Sequence, residues 1–388
     1  MRLLFITDYT EQFPYRLLRG ILSYAGETEP WVVCRMNTDN KRQMGMRGVI
    51  DWAKRWKADV VIGQFDPDDD VSLFERNGIV AIAQDYITKF RSIPNITADY
   101  DLTGSMVAKR FLSRGFKNFA FFGYHNVCWS DERYEGFRKP IEEAGLEKNL
   151  HFYNVQEINH IWAYNAPLLA GWLKKLPKPI GIMACDDNQG NILVQACNYH
   201  GIKIPSEVAV IGVDNDEIIC NLTYPALSSV DVNIEGGGYE VARLAERMVK
   251  ERDFRGEDIV LHPMHIVSRT SSNIYSTKDA DVLAALEYIS ANREHKISVG
   301  DILKQVPLSR RLLEQRFLKV TGYTIYKYIS LMRMERFAQL LISSKDSIAD
   351  IAARLDEPDT KSISRRFQAL WGCTPSEYRQ RELRKMGI

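Results

Sequence analysis

The last hundred residues of the 388-residue chain contain one structural unit twice. Ser298, Asp301 and Ile302 recur 49 positions later, whereas Arg316-Phe317 and Gly322 recur 50 positions later. Two copies of one unit follow, with one residue inserted in the middle of the second. The pattern of each copy predicts a helix with an N-cap serine, a tight turn and a second helix. In this layout a second helix can enter the major groove of DNA.

We predict these helix-turn-helix units at about residues 298–318 and 347–368, in an all-α domain of residues 281–388. A long helix from about 325 to 343 would hold them at a fixed separation. Apolar side chains should anchor the second helix of each unit: Leu312, Leu313, Phe317, Ile363 and Phe367. Arg and Lys can donate to guanine, and Gln can pair with adenine. The predicted DNA-contacting residues are Ser309, Arg310, Arg311, Glu314, Gln315, Thr360, Lys361, Ser364 and Arg365.

Charge is divided unevenly along the chain. Residues 279–388 carry 19 Lys and Arg against 14 Asp and Glu, a net charge of +5, and the remainder carries −4. The basic excess favours a polyanionic partner, although solvated helices reach such values by chance. A helical domain that binds protein instead of DNA is the alternative.

Residues 1–270 alternate short apolar runs with helical patterns. We predict strands at residues 2–7, 31–36, 59–63, 79–84, 118–124, 179–185 and 208–214. Continuous apolar strands followed by helices are typical of parallel sheets covered on both faces. The fold class is therefore α/β for this part of the chain, and residues 271–280 are predicted to be a linker.

Polar and aromatic residues follow several of these strands, where open parallel sheets bind their ligands. There is no GxGxxG after the first strand and no GxxxxGK[ST], which argues against dinucleotides and nucleoside triphosphates. Carboxylates and arginine can bond the hydroxyl groups of a sugar, and aromatic rings can pack on its C–H faces. The chemistry of the strand ends therefore suits a sugar.

Residues 180–217, followed by Leu-Ser-Ser-Val-Asp-Val-Asn, resemble the ligand-binding core of the lactose and galactose repressor family. That family is related to the periplasmic sugar-binding proteins. The resemblance implies two α/β lobes that are joined by crossing strands and close over the ligand. It also implies ligand contacts from Arg133, Asp186 and Asp214, with the loop of Trp129 at the cleft. The full predicted sugar-binding set is Tyr9, Phe13, Asp85, Trp129, Arg133, Asp186 and Asp214.

Other roles are open for these residues. Asp186, Asp187 and Asp214 could instead be helix caps or turn residues, because Asp is favoured at both places. Tyr9 and Trp129 could be ordinary core or surface aromatics.

The C-terminal segment resembles the AraC/XylS-type DNA-binding domain over its full length. The motif is IADIAARL, then SISRRF, then GCTPSEYR. Asp356 stands where that family has Gly in the turn, and Pro307 lies in the turn of the first copy. Asp tolerates left-handed backbone, so we expect the fold to be retained. Strand one begins at residue 2, so we expect DNA contact from the C-terminal domain and not from an N-terminal headpiece.

A sugar-binding core followed by an AraC-type domain resembles the xylose-operon activator family of enteric bacteria. The resemblance implies a sugar-responsive transcription regulator, an activator of a pentose operon. Its partners would be double-stranded DNA, a monosaccharide such as D-xylose, RNA polymerase and a second copy of the chain. The alternatives are a repressor, a regulator of another sugar or of none, and a sugar-acting enzyme with a DNA-binding tail. Asp186 and Asp214 would be the paired carboxylates of such an enzyme, but we expect no enzyme.

No metal and no cofactor are expected. The six cysteines lack CxxC pairs and disulfide-like spacing, which indicates a reducing cytoplasm. His262 and His265 should point to opposite faces of a strand and so should not share a metal. The chain has no apolar run of 18 residues and no secretory signal pattern, so we expect no membrane partner.

Overall fold

The computed structural model describes residues 1–10, 12–155, 166–251, 254–274, 277, 279–292, 294–344, 346–357 and 359–385. The strands are β1 Arg2–Thr7, β2 Val32–Asn37, β3 Val60–Gln64, β4 Val80–Gln84, β5 Asn95–Ala98, β6 Phe119–Gly123, β7 Leu150–Asn154, β8 Ile180–Ala184, β9 Val208–Val213, β10 Ser228–Val232, β11 Ile259–Leu261 and β12 Pro263–Val267.

The helices of the α/β part are α1 Gln12–Glu27, α2 Thr38–Trp56, α3 Ser72–Arg76, α4 Tyr100–Ser113, α5 Cys128–Glu143, α6 Ala166–Lys175, α7 Asp187–Tyr199, α8 Glu217–Leu222 and α9 Ile234–Lys250. Those that follow are α10 Ala280–Ala291, α11 Val299–Leu303, α12 Arg310–Thr321, α13 Ile325–Ser343, α14 Ile348–Arg354, α15 Thr360–Trp371 and α16 Pro375–Lys385. No helix among the described residues is long and apolar enough to cross a membrane.

Two separate sheets form two lobes. The first lobe has the strand order β11-β5-β4-β3-β1-β2, and the second has β12-β10-β9-β8-β6-β7. Neighbouring strands pair in parallel, except that β12 runs antiparallel to β10. The predicted α/β class is confirmed, and each of the seven predicted strands lies within one or two residues of an observed one. The seven did not include β5, β7, β10 or β11; the strand expected around His262 and His265 corresponds to β12, which begins at Pro263.

The chain crosses between the lobes at three places. It leaves the first lobe after β5 to form α4, returns after β10 through α9 to β11, and crosses again to β12. Asp99 and Asn233 cap the helices at the first two crossings, where their side chains accept from the backbone N–H groups of Leu102 and Gly236. These caps fix the direction of each crossing helix.

Glycines allow the crossing helices to pack tightly. A Cβ atom on Gly238 of α9 would lie 2.1 Å from the carbonyl oxygen of Leu17 in α1. A Cβ atom on Gly104 of α4 would lie 2.2 Å from the carbonyl oxygen of Arg133 in α5. Any larger residue would push the helix pairs apart, so Gly238 allows α9 to pack on α1 and Gly104 allows α4 to pack on the α5 backbone at Arg133.

The segment after β12 stays attached to the second lobe. Ser271 is buried; its hydroxyl donates to the Val210 carbonyl at 2.7 Å and accepts from the Ser228 N–H at 2.8 Å. Helix α10 begins at Ala280, after the N-cap Asp279. The connection therefore starts after Ser271. The division into residues 1–270, 271–280 and 281–388 stays a prediction in its bounds.

The C-terminal domain contains two apolar clusters, and α13 contributes to both. Ile325, Tyr328 and Ile329 pack in the cluster of the first helix-turn-helix unit. Phe337 and Leu341, further along the same helix, pack in the cluster of the second unit. Both units are therefore built on one continuous helix, which has the bounds predicted from the sequence.

Candidate functional site

A cleft of about 120 Å³ lies between the lobes at the carboxyl ends of their strands. From the first lobe and its crossing helix it is lined by Asp8, Phe13, Gln64, Gln84, Asp85, Tyr86 and Tyr100, and from the second by Tyr124, Trp129, Arg133, Asp186, Asn188, Gln189 and Asp214. Six of the seven predicted ligand residues meet here: Phe13, Asp85, Trp129, Arg133, Asp186 and Asp214. Their role as ligand contacts stays a prediction.

Tyr9 is the exception, and its predicted place in the cleft is wrong. Its hydroxyl donates to the Phe5 carbonyl at 3.0 Å, and its ring lies under the Arg35 guanidinium, 5.3 Å from the ring centre. The ring also packs against Tyr15. These contacts, all within the first lobe, turn the side chain away from the residues that line the cleft.

Arg133 lies at the centre of the cleft and is 5% exposed. It donates to the Cys185 carbonyl at 2.5 Å and to Asp214 Oδ1 at 3.2 Å. Its guanidinium also lies 5.1 Å from the ring centre of Tyr100 and 5.2 Å from that of Trp129. One arginine therefore holds the ends of β8 and β9 together and leaves its planar face between two aromatic rings.

Asp85 and Tyr100 form a buried pair on the side of the first lobe. The Tyr100 hydroxyl donates to the Asp85 carboxylate at 2.8 Å, and burial raises the pKa of Asp85 to about 6. The carboxyl group can therefore exchange a proton near neutral pH. Tyr100 was missed from the sequence, because β5, the short strand that ends two residues before it, was itself not predicted.

Asp186 both caps a helix and lines the cleft. Its Oδ1 accepts from the Gln189 N–H at 2.7 Å, which makes it the N-cap of α7, and burial raises its pKa to about 6. Asp187 instead accepts from the Asp216 N–H at 2.7 Å, behind the cleft. Asp186 is therefore the helix cap that the alternative interpretation expected, and it also lines the cleft. Asp187 supports the turn that follows β9.

Asp214 has a backbone that non-glycine residues rarely adopt. Its φ is 93°, and φ of the following Asn215 is 50°. Such strain costs of order 1–3 kcal/mol and is concentrated at binding and switch sites. The Asp214 N–H bonds to the Val230 carbonyl, and its own carbonyl accepts from Arg16 of the first lobe at 2.8 Å. The strained turn therefore connects the two lobes directly beside the cleft.

The cleft contains polar atoms without a protein partner. Arg133 Nε and Gln189 Oε1 are buried and have no hydrogen-bond partner within the described part of the chain. A buried donor or acceptor left unpaired costs about 1–3 kcal/mol. Both side chains line the cleft, where a ligand that carries donors and acceptors can bond the surrounding polar groups and the rings of Phe13 and Trp129 can cover its apolar faces.

A second cavity, of about 610 Å³, lies between the core and the C-terminal domain. Three of its four lining arginines have protein partners: Arg16 pairs with Glu235, Arg269 donates to Asn215, and Arg336 pairs with Glu294. The smaller cleft is therefore the better candidate for a ligand, while the larger cavity separates two domains.

The C-terminal domain has the predicted helix-turn-helix layout twice. Ser298 and Ser347 each form a capping box with the aspartate three residues later, at the start of α11 and α14. Ser309 and Asp359 then cap α12 and α15. The first pair of caps is 49 residues apart and the second 50, so the inserted residue lies in the second unit between the start of α14 and the start of α15.

The predicted DNA-contacting residues differ in exposure. Arg310, Arg311, Gln315, Lys361 and Arg365 are exposed on α12 and α15, whereas Thr360 and Ser364 are half-buried. Equivalent exposed side chains that prediction missed are Leu318 and Gln368, one turn further along each helix.

Two of the predicted DNA-contacting residues accept hydrogen bonds from backbone N–H groups at the starts of helices. Glu314 is half-buried, and its carboxylate accepts from the Ile325 N–H at 3.2 Å, at the start of α13. The Ser309 hydroxyl accepts from the Leu312 N–H at 3.4 Å as the N-cap of α12. The prediction that both face the bases is wrong for Glu314, since its carboxylate is turned toward the next helix. The predicted core position of Leu312 is also wrong, because Leu312 is 41% exposed.

The turn of the second helix-turn-helix unit contains two acidic residues that bond basic side chains of neighbouring segments. Asp356 has φ 52°, the left-handed geometry expected for the position that glycine usually takes, and it accepts from His295 Nδ1 at 3.2 Å. The neighbouring Glu357 accepts from Arg333 at 3.0 Å and from Arg366 at 2.6 Å. These contacts tie the turn to α13 and α15.

Helix α13 separates the two recognition helices. Its 19 residues span about 27 Å at 1.5 Å per residue. Successive major-groove segments on one face of DNA are about 34 Å apart. The length of α13 is therefore of the same order as that repeat.

Two family models match the chain. A periplasmic binding protein-like domain matches residues 108–272, and a helix-turn-helix domain matches residues 302–381. Both agree with the lobes and helices described above.

Curated relatives match the whole plan of the chain. It is 30% identical over 347 residues to a xylose operon regulatory protein of Escherichia coli K12, covering 86% of each protein. It is 30% identical over 336 residues to a protein of the same name from Haemophilus influenzae, covering 85% of this chain and 87% of that one.

Solved structures extend the likeness. A xylose-binding transcription activator is 26% identical, with a TM-score of 0.58 over 98% of this chain and 97% of that one. A LacI family transcriptional regulator from Enterococcus faecium, solved with bound ribose, is 19% identical, with a TM-score of 0.59 over 71% of this chain and all of its own. The second likeness shows the fold of the two-lobed core alone.

Proposed function

Because the chain belongs to the family of xylose operon regulatory proteins, we propose that D-xylose binds in its cleft and controls binding of the C-terminal domain to DNA. The chain is a sugar-responsive transcription regulator of the AraC type. We propose that it activates a pentose catabolic operon; repression, or a response to another sugar, is the alternative.

The observation that carries the sugar proposal is the paired arrangement of Arg133 and Asp214 between aromatic rings in a cleft of monosaccharide size. The guanidinium can donate to a sugar hydroxyl, and the carboxylates of Asp85 and Asp186 can accept from others. Phe13 and Trp129 supply apolar surface for the ring. A pentose would thus find directional partners on every side.

Isothermal titration of the full chain with D-xylose, L-arabinose, D-ribose and D-glucose tests this proposal. We expect D-xylose to bind most tightly. Asp214→Asn should weaken binding roughly tenfold to a hundredfold, because a hydrogen bond to a charged group is worth about 1.5–3 kcal/mol. Tyr9→Phe, which alters a hydroxyl outside the cleft, should bind as the wild type does. A folded protein that binds no monosaccharide would overturn the sensor role.

We propose that the cleft binds its sugar without chemical conversion. Both carboxylates that a glycosidase would use are already engaged, since Asp214 pairs with Arg133 and Asp186 caps α7. Mass spectrometry of the sugar after incubation with the protein tests this. A converted product that disappears in the Asp186→Asn variant would establish an enzyme instead.

Closure of the lobes is the proposed route from sugar to DNA. Arg16 of the first lobe donates to the Asp214 carbonyl and pairs with Asp231 in the second lobe. A sugar that contacts both lobes shifts the equilibrium toward the closed form by its difference in affinity for the two forms. Fluorescence anisotropy on a DNA duplex selected by the protein should show tighter binding with D-xylose. Equal affinity with and without sugar would refute the coupling.

We also propose that the protein acts in the cytoplasm as a homodimer that contacts RNA polymerase. Its six cysteines are free thiols, which suits a reducing compartment. Sedimentation velocity with and without D-xylose tests the dimer, and in vitro transcription with purified polymerase tests activation. A monomer at all concentrations, or transcription unchanged by the protein, would contradict these two proposals respectively.

A further inference from the structure

The two recognition helices α12 and α15 present different chemistry at equivalent positions. An offset of 50 residues aligns four exposed pairs on these helices, and three of them share one side: Arg311 with Lys361, Gln315 with Arg365, and Leu318 with Gln368. Positions i, i+4 and i+7 lie on one side of a helix, so each set of three forms one outward face. Both members of the first pair are cations, whereas the last pair consists of an apolar side chain in α12 and an amide in α15.

Leu318 is 48% exposed and shares its face with Arg311 and Gln315, next to exposed Lys319. A protein partner that covered this leucine would also have to bury the guanidinium of Arg311, which costs free energy unless the charge is paired. A DNA major groove accepts both groups: phosphates and guanine take the cations, and the C5-methyl group of thymine offers an apolar contact.

Gln368 occupies the same place in the second unit, beside Arg365 and Lys361. An amide in the major groove can make two hydrogen bonds to adenine, at N6 and N7, and has no preference for a methyl group. The exposed faces of the two helices therefore differ in the base that their third position favours.

We propose that Leu318 reads the C5-methyl group of a thymine and that Gln368, at the equivalent position, reads an adenine. The two halves of the operator bound by one protomer then differ in sequence, although the two helix-turn-helix units are copies of one another. This inference rests on the proposed DNA binding by both units.

The test begins with selection of bound duplexes from a random-sequence pool by the full chain, with and without D-xylose. Each thymine of the selected site is then replaced by deoxyuridine, which removes only the methyl group. The wild type should lose roughly fourfold in affinity at one thymine, the value of one buried methyl-sized group. Leu318→Ala should bind the thymine and deoxyuridine duplexes equally.

Replacement of each adenine by 7-deaza-adenine tests the second position in the same way. The wild type should weaken at one adenine in the other half of the site, and Gln368→Leu should lose that dependence. Leu370→Ala is the matched control, because Leu370 is 43% exposed on α15 but lies about 180° around the helix from Lys361. It should keep the sensitivity of the wild type at both positions.

The outcomes separate the inference from the function. Failure to enrich any duplex would overturn DNA binding and the inference with it. A selected operator whose methyl dependence is unchanged in Leu318→Ala, or whose adenine dependence is unchanged in Gln368→Leu, would overturn the base assignment and leave DNA binding intact.

Discussion

Loss of the Glu357 carboxylate should unfold the second helix-turn-helix unit before the rest of the protein. Glu357 receives hydrogen bonds from Arg333 and Arg366, whose side chains are 5% and 30% exposed. Burial lowers the pKa of Arg333 below its usual value even with Glu357 beside it, so desolvation of this guanidinium is only partly offset. In Glu357→Ala the buried cation would remain without its carboxylate.

Breaking one partner of a buried ion pair costs about 3–5 kcal/mol. We expect most of that cost to come from Arg333, because Arg366 is partly solvated and its pairing is screened. A domain of this size is stable by only about 5–15 kcal/mol, so the loss would open the unit locally. Glu357→Gln, which keeps the shape and some hydrogen bonds, should be affected less.

Hydrogen exchange of the full chain, followed by mass spectrometry, gives the local readout. Peptides from α14 and α15 should exchange faster in Glu357→Ala, while peptides from β8 and β9 should not change. The double variant Arg333→Met/Glu357→Met should recover much of the protection, since neither charge is then buried alone. Protection in Glu357→Ala within about 0.5 kcal/mol of the wild type, the range of ordinary surface substitutions, would refute the reasoning.

Three further predictions concern the core. Burial raises the pKa of Asp85 and of Asp186 to about 6 in the folded chain, above the unfolded value of 3.8. Their contribution to the free energy of unfolding is therefore present at low pH and is lost as pH rises through 6. Urea unfolding of the sugar-free protein should show about 1–2 kcal/mol more stability from these two groups at pH 5.5 than at pH 7.5. Asp85→Asn should remove about half of that difference, and an undiminished difference would contradict the assignment. Arg269 donates to the Leu227 carbonyl and to Asn215, next to the strained Asp214, and it lines the cavity between the core and the C-terminal domain. If Arg269 transmits a change at Asp214 to the C-terminal domain, Arg269→Ala should bind D-xylose within roughly twofold of the wild type yet lose the effect of sugar on DNA anisotropy. A retained sugar effect would exclude Arg269 as the connection. Gly238→Ala places a Cβ against the Leu17 carbonyl and should cost about 1–3 kcal/mol in urea unfolding, whereas Gly171→Ala, with no atom within 4 Å of the added Cβ, should not destabilise α6.

Sequence patterns predicted the fold because its main strands are fully buried. β1, β8 and β9 are continuous apolar runs, and such runs indicate central parallel strands without any knowledge of their neighbours. The short strands β5 and β11 lack that signal, since three or four residues are too few to show a pattern. The same logic placed Asp186 and Asp214, because a residue directly after a central parallel strand lies at the ligand edge of the sheet.

Residues whose place depends on tertiary packing were not predictable. Tyr100 reaches the cleft only because α4 crosses between the lobes, and Tyr9 leaves it because Arg35 and the Phe5 carbonyl hold its side chain. On α12 the apolar character of Leu312 suggested a core position, yet the cluster beneath is already filled by Leu313 and Phe317. Glu314 bonds a backbone group eleven residues away, which helical periodicity does not reveal.

The shared helix α13 constrains how the sequence of such a protein can evolve. One inserted residue would turn the second unit by about 100° and advance it by 1.5 Å relative to the first. Each unit would keep its own apolar cluster and would still fold. The two recognition surfaces, however, would then look toward different sides of a duplex. The length of α13 and the spacing of the two operator segments can therefore change only together.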